Sequence, residues 1–232
     1  MLLIADAARD TDLDDVDGFA EARAAGAVRV QDLAIYGSSR AVDPATQVRA
    51  YAEATGQALA DGYTGLRVAA DATALVRTPE TRAAFARYEF LIDRFMTGNP
   101  FAAMCSYHVG ELGHDAAAEL AGVHPLAQPS ATSLRLFASE EPGIAGVLAG
   151  EVDLSTRTHF QRTLDRADLI DVDGEITIDA RDLAFIDHRA LMHLVEHVRL
   201  RGATAVLHVG EHSVVRPLAA LLRLPDLRVE VR

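Results

Sequence analysis

Histidines, carboxylates and one cysteine are the side chains here whose types and spacing invite a chemical reading. His193 and His197 stand four residues apart, the spacing at which two imidazoles on one helix face share a metal, and His188 lies just upstream. No third ligand stands at a compatible spacing and Glu196 falls on another face, so the pattern predicts no metal site. Asp10, Asp12 and Asp14 alternate like the start of a calcium loop. Asp15 stands where such a loop needs glycine, and the stretch reads as a solvated acidic loop. Cys105 as a nucleophile needs a base and an oxyanion site; within an apolar strand it reads as a small hydrophobe. The sequence contains no lysine, all 22 of its basic residues being arginine. That excludes a Walker A loop, a Schiff-base enzyme and a Ser–Lys pair. The expectation is a non-enzymatic protein with no catalytic residues, metal or cofactor.

The most regular pattern lies between Glu175 and Gly210. Ile176–Thr177–Ile178 alternates and ends at Asp179. A turn segment from Ala180 to Asp187 carries Leu183, Phe185 and Ile186. Leu191, Leu194, Val195 and Val198 then recur at helical spacing until Gly202, and the apolar run Ala205–Val209 follows. Strand, helix and strand in that order predict a βαβ crossover with parallel strands. Asp187 reads either as the helix N-cap or as a contact for a partner.

This stretch resembles the STAS domain, the fold of anti-sigma factor antagonists, whose loop reads approximately D-x-S/T-x-L-x-F-[IM]-D-S-[ST]-G-[LI]. Asp179, Leu183, Phe185, Ile186 and Asp187 match it, and Gly150–Asp153 matches the family's G-E-[VLI]-D turn. In that family the second hydroxyl residue at the helix start is phosphorylated by a partner anti-sigma kinase. Here His188, Arg189 and Ala190 stand where the family has Ser, Ser/Thr and Gly. A helix N-terminus favours anions, so Arg189 offers no acceptor and sets a cation at the unfavourable end. The resemblance implies a partner-binding set of Asp153, Asp179, Phe185, Asp187, His188 and Arg189. The partners it implies are an anti-sigma factor kinase or another STAS protein, with the phospho-switch lost.

The remaining elements follow the same strand–helix rhythm. MLLIA reads as a strand, Asp17 to Ala25 as a helix, and VRVQDL as a second strand. Asp43 and Pro44 start a helix that runs to Ala60. GLRVAAD is a strand, Pro79 to Thr97 a helix burying Phe85, Tyr88, Leu91, Ile92 and Phe95, and FAAMCSY the next strand, before a short helix over Ala116–Leu120. In the C-terminal part LRLFAS and IAGVLAGEVDLST read as strands. A helix spans Ser155 to Ala167 with Ser155 or Thr156 as cap, another spans Ser213–Leu222 with Val215, Leu218, Leu221 and Leu222 on one face, and LRVEVR closes as an edge strand. That makes five strands and three helices for the second domain.

Residues Val28 to Leu126 resemble the MEDS domain, the DcmR-like sensory family. The matching pieces are Asp43–Pro44 with Tyr51, then Gly65–Asp71, Arg87–Asp93, Met104–His108 and His124–Leu126. The resemblance implies sensing of a small molecule by an open, mainly parallel α/β sheet that lacks the family's first strand and helix or is completed by a partner. His108 replaces the Asp more often seen after the Tyr. Open α/β sheets bind ligands beyond the carboxyl ends of their strands, giving a candidate pocket of Asp71, Glu89, Cys105, Tyr107, His108 and His124. The plainer alternative is that Tyr88 and Cys105 pack in the core, Asp71 caps a loop and His124 packs before Pro125.

The expected fold is therefore α/β in two domains. Residues 1–129 form the sensory domain and residues 130–232 the STAS-type domain, joined at the Pro/Ser segment Ala127–Ser133. The net charge of −12 falls on both, with 10 Arg against 18 acids in residues 1–130 and 12 against 16 thereafter. Neither part has the basic balance of a nucleic-acid binder. A single cysteine fits a reducing compartment, and no apolar run approaches the ~18 residues of a membrane span, so a soluble cytoplasmic protein is expected. The functional expectation is a signalling regulator in which the sensory domain controls the STAS domain. The alternative is a small-molecule binding protein or scaffold whose STAS half only mediates homo-oligomerisation.

Overall fold

The computed structural model describes residues 1–5, 13, 16–36 and 41–232. Asp10, Asp12, Asp14 and Asp15 of the acidic stretch lie outside the described residues. The architecture is α/β, in two compact units. One comprises Met1–Tyr88 with Gly98–Ala117, the other Glu89–Thr97 with Ala118–Arg232. The chain thus passes between units within two helices, whereas the sequence pointed to Ala127–Ser133 as the joint.

The first unit runs β1 (Leu2–Ala5), α1 (Phe19–Ala24), β2 (Arg29–Asp32), α2 (Pro44–Ala60), β3 (Leu66–Asp71), α3 (Pro79–Gly98), β4 (Phe101–Ser106), α4 (Val109–Leu112) and α5 (His114–Ala121), the last entering the second unit. Its four strands are all parallel, in the order β2-β1-β3-β4. Asp43 caps α2 by accepting the Thr46 N–H at 2.8 Å, with Pro44 in the first turn. β3 opens at Gly65, whose φ is +152° and where a Cβ would lie 2.2 Å from the Pro100 carbonyl. Only glycine lets the strand start this close to its neighbour. The core is aromatic: Tyr36, Tyr51, Phe85, Tyr88 and Phe101 are all buried, with ring centroids 5.2–6.3 Å apart, and the Tyr51 hydroxyl donates to that of Tyr36 at 3.0 Å.

The second unit adds β5 (Leu134–Phe137), β6 (Gly146–Val152), α6 (Arg157–Arg166), β7 (Glu175–Asp179), β8 (Leu183–Ile186), α7 (His188–Leu200), β9 (Thr204–Val209), α8 (Val215–Leu222) and β10 (Leu227–Val231). The strand order is β10-β9-β7-β6-β5, with β5 antiparallel to β6 and the other pairs parallel. The expected βαβ crossover is β7–α7–β9. The segment expected as a turn is a strand: β8 pairs with β6, making six strands rather than five. β6 follows β7 only through Gly146 and Val147, then shifts register at Gly150 and offers Gly150–Val152 to β8. Backbone donors and acceptors freed by that shift need partners, and LAFI supplies them.

Two side-chain expectations also change. Thr156 is the N-cap residue of α6, as expected, but its side chain makes no cap bond; Asp153 accepts the N–H groups of Ser155 and Thr156 instead, at 2.8 and 3.2 Å. On α8, Val215 is buried and Leu218 and Leu222 pack on the core, but Leu221 is 78% exposed. At about 100° per residue Leu221 stands roughly 120° from Val215, too far round to share its face. On α3 the expected Phe85, Tyr88 and Ile92 are buried, Leu91 and Phe95 only partly, and Phe90 joins the core of the second unit. Truncating that ring, 1% exposed, opens a cavity. Phe90→Ala is expected to destabilise the second unit by about 3–5 kcal/mol, read from its denaturant unfolding midpoint; a change below about 1 kcal/mol removes Phe90 from that core.

Candidate functional site

The start of α7 is built on Asp187. Its backbone is extended (φ −79°, ψ 163°), one carboxylate oxygen accepts the Ala190 N–H at 2.7 Å, and the other accepts from Arg157 Nη2 at 2.9 Å. Burial raises the carboxyl pKa, but the Ala190 N–H and Arg157 outweigh it and hold it below the ordinary value. Asp187 therefore performs as an N-cap, and the helix start already contains its anion. Around it Phe185 is 44% exposed, and His188 and Arg189 are exposed. Ala190 is fully buried.

Asp153 and Asp179 shape the backbone nearby. Asp153 binds the Ser155 N–H at 2.8 Å and its hydroxyl at 2.6 Å, and the Ser155 hydroxyl bond leads in holding its pKa low. This turn launches α6, whose first residue Arg157 reaches Asp187. β6 and β8 run parallel with Glu151 opposite Phe185 and Val152 opposite Ile186. The turn after β6 and the start of α7 thus share one end of the sheet. Leu154 in that turn is 74% exposed; the sequence reading missed it, although an apolar residue amid turn formers was the available signal. Asp179, at the end of β7, is gripped by Arg181 through Nε at 2.9 Å and Nη2 at 2.6 Å. Burial pushes its pKa up, and Arg181 more than reverses this. Arg181 also reaches Glu141 at 2.6 Å. His193 packs edge-on against Phe160 and His197 pairs with Asp165 at 3.5 Å, so both take part in α6–α7 packing.

The candidate pocket residues divide between the units. In the first, Asp71 ends β3 opposite Ser106 and accepts the Thr73 N–H at 3.0 Å, while the Thr73 hydroxyl accepts the His108 N–H at 2.9 Å. The fully buried Thr73 thus ties the carboxyl ends of β3 and β4 together. Cys105 is half-buried opposite Ala70, Tyr107 stands edge-on to Phe85, and His108 precedes α4. These four lie at the sheet edge where open α/β folds place ligands.

Glu89 and His124 belong to the second unit. His124 Nε2 lies 3.3 Å from Glu89 Oε2, and its Nδ1 bonds the Leu120 carbonyl at 2.8 Å. Burial lowers the imidazole pKa, but Glu89 overrides it and the net direction is upward. One turn further along α3, Asp93 is 6% exposed and accepts the Ala138 N–H at 2.9 Å. Burial pushes its carboxyl up to about 7. The sequence reading passed over Asp93; an acid four residues after Glu89 beside an apolar stripe was the signal.

The first unit is an open parallel sheet with polar groups at the carboxyl ends of its strands, and the second is a separate α/β unit. Residues 4–125 match the family model of MEDS, the methanogen/methylotroph DcmR sensory domain. The chain belongs to that family, and with it comes a sensory, signalling role. The match reaches back to Ile4, well before the Val28 at which the sequence resemblance began. No curated protein matches the chain. Among the described residues no helix is long and apolar enough to cross a membrane.

Two outcomes follow. Asp93 binds its proton more tightly folded than unfolded, so its charge costs stability as pH rises from about 4 through about 7; His124, raised above 6.5, loses its stabilising charge as pH rises through its folded value. The second unit is expected to melt lower at pH 9 than at pH 5, and Asp93→Asn to recover on the order of 3 kcal/mol at pH 8 but little at pH 4. Equal melting at both pH values contradicts this. Asp187→Ala, which removes the cap and orphans Arg157, is expected to cost about 1–3 kcal/mol by chemical denaturation.

Proposed function

We propose that the chain is a non-enzymatic signalling regulator in which the MEDS sensory domain controls a STAS-type, anti-sigma-antagonist-like interaction domain that lacks the phosphorylatable residue. The observation that carries this reading is the start of α7. Phe185, His188 and Arg189 are exposed around a capped helix terminus, in the loop whose residues resemble the partner-binding loop of that family. The β7–α7–β9 crossover, with β8 leading into the helix, supports it.

The electrostatics suit a constitutive binder. The phosphorylatable members place a hydroxyl where Arg189 stands, and a phosphate there would gain from the helix dipole. Arg189 cannot accept one, and the Asp187 carboxylate already occupies the Ala190 N–H. The partner is an anti-sigma factor kinase or another STAS protein, and control passes to the sensory unit, where a ligand at the strand ends around Asp71, Tyr107 and His108 shifts the population that binds.

The test is a pull-down from a native lysate with wild type and Arg189→Ser, with and without ATP. Wild type is expected to retain an anti-sigma kinase or STAS protein regardless of ATP, whereas Arg189→Ser releases it when ATP is added. Failure of wild type to retain any protein of either kind rejects the proposal.

A further inference from the structure

The strand order of the second unit ends at β10, so among the described residues of that unit one edge of this strand has no neighbour. On its paired edge the Asp226 carbonyl accepts the Ala205 N–H at 2.9 Å, and the Arg232 N–H donates to the Val209 carbonyl at 3.1 Å. Backbone groups alternate in direction along a strand. Asp226, Arg228, Glu230 and Arg232 therefore turn theirs toward β9, and Leu227, Val229 and Val231 turn theirs outward. An outward row of unpaired backbone groups is a template for another strand. The side chains alternate too, which places Asp226, Arg228, Glu230 and Arg232 on one face of the sheet. Arg228 and Arg232 both reach Glu230 there, at 2.9 and 2.7 Å. The strip is alternating in sign and neutral in sum, in a chain whose net charge is −12. Arg228, Val231 and Arg232 are exposed.

We propose that β10 pairs edge to edge with β10 of a second copy of the chain, antiparallel about a twofold axis at Val229. Val229 then exchanges both backbone bonds with its own counterpart, and Leu227 does so with the partner's Val231. Between these lie the positions where side chains approach most closely. There Arg228 meets the partner's Glu230, and Asp226 meets the partner's Arg232. The segment DLRVEVR, residues 226–232, is thus complementary to its own reverse, as an isologous contact requires. The register is specified as well. A slip of one residue sets outward backbone groups against inward ones, and a slip of two sets Arg228 or Glu230 against its own counterpart. A foreign strand would need the same alternation of charge, which a second copy carries already. A contact about 17 Å long and one strand wide stays below the ~800 Å² per partner of a stable interface, so the dimer is reversible and concentration-dependent.

Sedimentation equilibrium of the full chain between about 1 μM and about 1 mM, the range of weak association, tests this. Wild type is expected to pass from monomer to dimer. Arg228→Glu and Glu230→Arg each set like charges together and raise the dissociation constant about tenfold or more. An equimolar mixture of these two variants associates again, because each reversed charge meets its opposite on the other chain. Val231→Pro removes an outward N–H and keeps the bonds to β9, as proline does on an edge strand. It weakens the dimer about tenfold while the melting temperature of the dilute chain stays unchanged. A chain that is monomeric throughout, a mixture that associates no better than either variant alone, or a dimer indifferent to Val231→Pro overturns the proposal.

Discussion

One carboxylate fixes the geometry on which the second unit's surface depends. Asp187 satisfies a backbone donor of α7 and the guanidinium of Arg157 from α6 at once, so two helices and the end of β8 are set by a single side chain. Its position in turn requires β8 to pair with β6, which β6 allows by shifting register at Gly150. There φ is +90° and a Cβ would lie 2.0 Å from the Ser133 carbonyl, a conformation and a clearance that favour glycine alone. From glycine to strand to cap, local backbone constraint presents Phe185, His188 and Arg189 outward. An aspartate already charged at this helix start also explains why Arg189 is tolerated there: the local anion offsets a cation that the helix dipole disfavours.

Elements with strong periodicity were legible in the sequence. The buried set Leu191, Leu194, Val195 and Val198 of α7 lies where its spacing put it, because apolar residues on one helical stripe have a single low-energy arrangement. The Asp43–Pro44 start of α2 was equally plain, since capping is a local interaction. What sequence did not show depends on distant partners. LAFI has only four residues and becomes a strand because a neighbour exposes unpaired backbone groups; no local pattern states that. Leu221 looked like part of an apolar face because leucines were counted without their angle around the helix.

The site was less legible than the fold. Asp71, Tyr107 and His108 fall at the strand ends as expected, since strand ends are read from the pattern itself. Asp179 and Asp153 stood out as motif residues, and each is engaged in a local turn. Asp93 escaped notice because its perturbed acidity comes from burial rather than from a motif. The role of α3 was hidden for a related reason. A helix of 20 residues whose two parts belong to different compact units carries two apolar stripes, and a single periodicity describes only one of them.

The central claim is that the exposed ring of residues at the start of α7 is the surface through which this sensory protein acts. The most direct measurement replaces Phe185 with a photo-crosslinking phenylalanine analogue, irradiates the full chain in its native lysate, and identifies the covalently captured protein by mass spectrometry. The account predicts an anti-sigma kinase or a STAS protein, linked equally well with and without ATP. Capture of only unrelated proteins, or of none, while an equivalent probe at Met192 or elsewhere on the unit links such a partner, would contradict it.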